Sequence, residues 1–141
     1  QGLMLSFAFN HAEAGRSFFE AARQDSTCAM CWWGFAYVLG PNYNAGMEKD
    51  NLQRAYDALQ KAKSYAASGT QKEKDLIEAL AYRYSNDTAI ARQVLDSSYA
   101  EAMRKVYKRY GEDATVATLF AEALMDLHPW NLYKKDGTIQ P

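Results

Sequence analysis

The chain has 141 residues, 48% hydrophobic and 23% charged, with a formal net charge of −1 and a pI near 6.1. A chain of this length buries a sizeable core as one globular unit. The balanced charge lacks the basic excess of a nucleic-acid binder, and no apolar run approaches the roughly 20 residues that a membrane-spanning helix needs.

Aromatic residues make up 13% of the chain, with ten tyrosines, a content that suits either a core or a recognition surface. Cys28 and Cys31 are the only cysteines, too few for a disulfide framework. Gln1 to Asn10 has neither the basic start nor the cleavage site of a secretory signal, which leaves the compartment open.

In chain order, Gln1 to Phe9 is apolar and reads as a first helix that begins partway, either short or trimmed at its start, with trimming the preferred reading. His11 to Gln24 follows as a second. Ala14, Phe18 and Ala21 fall at i, i+4 and i+7, one helical face with small residues at both ends. Gly15 costs about 1 kcal/mol relative to Ala inside that helix, and its missing side chain is expected to admit a close neighbour. Asp25-Ser26-Thr27 reads as a stop followed by an N-cap. Thr27 to Leu39 is the next helix, with Trp32, Phe35, Ala36 and Leu39 on one face. Gly40 to Gly46 breaks it and is longer than a tight turn.

Glu48 to Ala66 resumes the helical period through Ala55, Leu59 and Ala62. Thr70 and Glu73 have capping-box spacing and open a helix over Gln71 to Tyr84, with Leu76, Ile77 and Leu80 inside. Ser85 to Thr88 is read as a turn with a fresh N-cap. A long helix over Ala89 to Arg109 carries the stripe Leu95, Tyr99, Met103, Val106 and Tyr110. The last helix, Ala114 to Leu127, places Phe120, Ala121 and Leu124 inward and stops at His128-Pro129-Trp130. Residues 128–141 read as an extended polar tail.

Small residues at fixed places, large ones one turn away, and paired helices resemble the tetratricopeptide repeat (TPR), a 34-residue helix–turn–helix unit. The likeness runs from about Gly2 to Leu127. The runs NHAEA, CAM and GPN, and later ATLFAEALMDLHPW, are similar to the leading repeats of a subgroup of bacterial TPR proteins. The resemblance implies an all-α fold: a right-handed superhelix of antiparallel helix pairs, about three and a half repeats or seven helices, over 1–127. It implies a longer parent chain beyond Pro141, and an exported or periplasmic location with a cytoplasmic alternative.

It also implies a non-catalytic scaffold that holds a protein or peptide in its concave face. The positions that would face this groove are Leu3 and Phe7, then Met30, Trp33 and Tyr37, then Lys74, Glu78 and Tyr82, and finally Thr118 and Glu122. Trp33 and Tyr37, one turn apart, are expected either to form an aromatic floor for a partner or to belong to the core. The Lys/Asn pairs of TPR clamps for chaperone tails are absent from the first two units. Half-units at both ends allow a second reading, a homo- or hetero-oligomer stacking on other chains.

Other residues carry weaker signals. Cys28-Ala-Met-Cys31 is a C-x-x-C near a helix start, where a thiolate is favoured. A redox pair or half a zinc site is one reading; two small buried residues at a helix contact is the preferred one. His11, Asn42, Asn44 and His128 all fall at the same class of turn and are expected along one edge. That edge is a third candidate, for a metal or small polar ligand. Arg104, Lys105, Lys108 and Arg109 read as a solvated face. No phosphate loop, nucleophile elbow or H-E-x-x-H is present, so no cofactor or reaction is assigned.

Overall fold

The computed structural model describes residues 1–140. Seven α-helices make up the fold among these residues: α1 (Gly2–Phe7), α2 (His11–Gln24), α3 (Ala29–Val38), α4 (Lys49–Tyr65), α5 (Gln71–Ala81), α6 (Arg92–Tyr110) and α7 (Ala114–Met125). The only β-type pairings among them are isolated bridges, Asn42 with Ala45 and Tyr133 with Ile139.

Each helix packs on the one before it, and alternate helices also touch, α1 with α3 and α3 with α5. The core runs through this contact zone. Ala14, Ala36, Ala55, Ala62, Leu80, Met103, Val116 and Leu119 are all fully buried. The alanines let backbones approach, and the longer side chains occupy the space between them.

Local chemistry sets the helix ends. Asn10 caps α2 through the Glu13 amide. Thr70 and Glu73 form the reciprocal capping box expected at α5. Asp113 caps α7 by accepting from the amides of Thr115 and Val116, and its carboxylate also takes Lys72 of α5 at 2.6 Å.

Three boundaries differ from the expected ones. The N-cap of α3 is Cys28, whose sulfur accepts from the Cys31 amide. Asp25 instead folds the turn, accepting from the amide and hydroxyl of Thr27. Helix α5 stops at Ala81 with Tyr82 as its C-cap, and beyond that cap Arg83 and Tyr84 reach other elements. Helix α6 starts at Arg92, because Asp87 bonds the Ala89 amide and holds that stretch in turns.

Phe18 of α2 is the wedge of the first three helices. A Cβ built on Gly2 would lie 2.8 Å from its ring, and one built on Gly34 would overlap it. Two glycines, on α1 and α3, therefore make the slot that the ring fills. Gly15 plays no such part: a Cβ there would sit 3.6 Å from Val38, an ordinary contact. On α7, Ala121 is exposed; Val116, Leu119, Phe120 and Ala123 are the buried face. Within the tail, residues 134–138 form a tight turn, with Gly137 at φ 82° and Asp136 bonding the Thr138 amide, and Tyr133 and Ile139 pair across it.

Gly34→Ala is expected to destabilise the protein by about 1–3 kcal/mol, because the ring is held on both sides and cannot yield. This outweighs the roughly 1 kcal/mol that Ala gains over Gly in a helix. Urea denaturation reads the difference; a stabilised variant would show that Phe18 is free to move.

Candidate functional site

The ten positions expected on a binding face do not form one surface. Trp33 and Tyr37 are each only 3% exposed. Their rings stack at 5.3 Å and 4°. The Trp33 indole donates to the Leu76 carbonyl of α5 at 3.2 Å, and the Tyr37 hydroxyl donates to Glu122 of α7. The expected open aromatic floor is therefore core: α3 is covered by α5, and both polar tips find buried partners there. Leu3, Phe7, Met30, Lys74 and Glu122 are half-buried, while Glu78, Tyr82 and Thr118 are exposed. Glu78 and Tyr82 share a cleft of about 260 Å³ with Lys105 and Arg109 of α6.

The edge residues fare differently. His11, Asn42 and Asn44 line one cavity of about 450 Å³. His128 is not among its lining. Both His11 ring nitrogens are buried without a hydrogen-bond partner. Burial, and then the nearby Arg83 charge, hold its pKa below the ordinary value. Loop residues 41–46 separate this cavity from another of about 370 Å³, which Trp130 and Asp126 line from the far side. Among the described residues, no group of three or more His, Cys, Asp or Glu is placed to hold a metal ion.

Cys28 and Cys31 are joined as a disulfide, not present as two reduced core thiols. The bond closes the first turn of α3 and spans a sequence separation of 3, so it links no two helices.

The centre of the site is a residue that the sequence pattern does not single out. Arg83 is 1% exposed. Its guanidinium donates to the Pro41 carbonyl at 2.8 Å and to Asp126 at 2.5 Å. It lies over the Tyr99 ring at 4.7 Å and faces the Tyr37 ring at 5.9 Å. Arg92 donates to the Arg83 carbonyl and pairs with Asp96 at 3.0 Å. Next to it, the Tyr84 hydroxyl donates to the Ala36 carbonyl at 2.6 Å. One signal could have pointed here: Asp126 follows the last turn of α7, where the helix dipole disfavours an anion. An acid at that place implies a cation near it.

Burial dominates the titration of this cluster. It pushes the Glu122 carboxyl up to about 8, helped by the Asp126 charge. It pushes Asp126 up to about 6 against the pull of Arg83, and Tyr84 up to about 12.

No family description, curated protein or solved structure matches this chain.

Two outcomes test the cluster. Arg83→Ala strands Asp126 in the interior and is expected to cost about 3–5 kcal/mol. The double variant Arg83→Met with Asp126→Leu is expected to cost less than the sum of the two single changes, read by urea denaturation. Additive losses would remove the coupling. The second concerns pH. Glu122 holds its proton more tightly folded than unfolded, so its stabilisation is complete below the usual carboxylate range and fades as pH rises toward about 8. Asp126 acts in the same direction and His11 in the opposite one, so the comparison is between variants. Glu122→Gln keeps an acceptor for Tyr37 and cannot ionise. Its thermal midpoint is expected to fall less than the native one between about pH 5 and about pH 8. Parallel curves would mean that Glu122 is not held neutral.

Proposed function

We propose that the chain is a TPR-like helical scaffold that holds a segment of another polypeptide against the face of its odd-numbered helices. The observation that carries this reading is the contact order: each helix on its predecessor, and α3 on both α1 and α5. Stacked hairpins need that order, and a stack leaves one helix layer free for a partner. The odd layer is also tied internally, by Trp33 to Leu76, Tyr84 to Ala36 and Lys72 to Asp113. A tied layer loses little freedom when it binds.

With Trp33 and Tyr37 inside the fold, the contacting residues are the accessible remainder of the expected set: Met30, Lys74, Glu78, Tyr82 and Thr118. Tyr82 is 52% exposed and is the large anchor of this set. A second reading, assembly with further chains, is favoured by Met4 at 70%, Tyr133 at 61% and Ile139 at 74% exposed.

Peptides selected from a random library on the immobilised protein test the first reading. Met30→Ala and Tyr82→Ala are each expected to weaken the selected peptides about tenfold or more. Arg54→Glu, on α4, is expected to leave them unchanged. The reverse pattern would move the binding face to the even helices. Sedimentation equilibrium addresses the second reading, which a monomer counts against.

A further inference from the structure

We propose that the cavity between the loop 41–47, the start of α6 and the residues after α7 is a binding site for a neutral saccharide. The proposal does not depend on the polypeptide-binding reading. Pro41, Asn42, Arg92, Asp96, Asp126 and Trp130 are among the residues lining it, around a volume of about 370 Å³, within the lower range of small-molecule pockets.

Its inner wall has unfilled hydrogen-bonding capacity. The Asp126 side chain is 3% exposed. One carboxylate oxygen takes Arg83; the other, Oδ1, is buried with no partner. Arg92 places Nε on Asp96 at 3.0 Å and Nη2 on the Arg83 carbonyl, while its Nη1 is buried with no partner. Leaving such groups unmet is costly. Two residues that line one cavity, Asp126 and Arg92, thus hold one unmet acceptor and one unmet donor beneath its surface, and together they invite a ligand that both donates and accepts. A hydroxyl group does both.

Charge narrows the class. Asp126 already has Arg83 against it, and Asp96 has Arg92. The four charges cancel, so an ionic ligand would be left unbalanced. What remains on the wall is hydrogen-bonding capacity, not net charge. A polyhydroxylated neutral ring meets it with adjacent hydroxyls, and the Asn42 amide lies at the margin.

The mouth supplies the apolar complement. Tyr43 and Trp130 pack at 5.1 Å and 34°. Trp130 is 74% exposed and sits at φ 61°, a left-handed conformation that a bulky residue adopts at a cost. Strain that presents an indole to water gives the C–H face of a sugar ring a flat surface to rest on.

The test uses D-glucose, N-acetyl-D-glucosamine and maltose as probes at millimolar concentration, with leucine as the zwitterionic control. The chain has three tryptophans, and Trp32 and Trp33 are buried. The exposed indole is therefore resolved by its N–H resonance, assigned through Trp130→Phe. At least one sugar is expected to shift the Trp130 resonance saturably. Trp130→Ala is expected to weaken that sugar about tenfold, with the binding read by calorimetry and the thermal midpoint unchanged. Arg92→Lys, which keeps the charge and loses the unfilled N–H, is expected to weaken it as well. No saturable shift with any of the three sugars overturns the proposal. So does unaltered affinity in Trp130→Ala, or tighter binding of leucine than of every sugar.

Discussion

The guanidinium of Arg83 is the contact on which the second half of the structure depends. It reaches the loop after α3 through the Pro41 carbonyl, α6 through the Tyr99 ring, and the end of α7 through Asp126. Arg83 itself follows α5. One buried cation thus ties four segments that are distant in sequence. A charge so placed is stable only with its partners in position, because removing any one leaves the rest unsolvated. The loop 41–47 is held at its root by this bond, and beyond it by the Asn42–Ala45 pairing and by Tyr43 against Trp130.

The same cation sets the electrostatics around it. Asp126, Asp96 and Glu122 gather where α6 and α7 come near Arg83 and Arg92. Burial favours the neutral forms of Glu122 and Asp126, and Arg83 opposes this for Asp126, so Glu122 adds little charge to the cluster. Glu122 then meets the Tyr37 hydroxyl as a largely neutral group, so the hydrogen bond between α3 and α7 joins two neutral side chains. Stacked Trp33 and Tyr37 are consumed by this inner layer.

Consuming them changes where recognition is to be sought. An anchor must be exposed before binding and buried after it. Tyr82 on one flank and Trp130 on the other meet that condition; Trp33 does not. The two lie on different parts of the fold, the first beside the α5–α6 cleft and the second at the mouth of the polar cavity. The proposed scaffold role and the proposed sugar site are therefore separable by mutation.

Periodicity and capping chemistry made much of the fold legible in the residues alone. The helical periods through Ala14, Ala36, Leu59, Leu80 and Met103, one on each of five helices, mark faces that must be buried, and Thr70 with Glu73 marks a helix start, because both signals act within a few residues. The all-helical class follows from them. Boundaries set by competing side chains were not legible: Asp25 and Asp87 bond nearby amides, and Cys28 takes the cap that Thr27 was expected to supply. Burial of Trp33 and Tyr37 was decided by what lies across from them on α5 and α7, residues some 43 and 85 positions away. Arg83 and Asp126 belong to the same kind. Their partners are close in space and far along the chain, and only the packed structure brings them together.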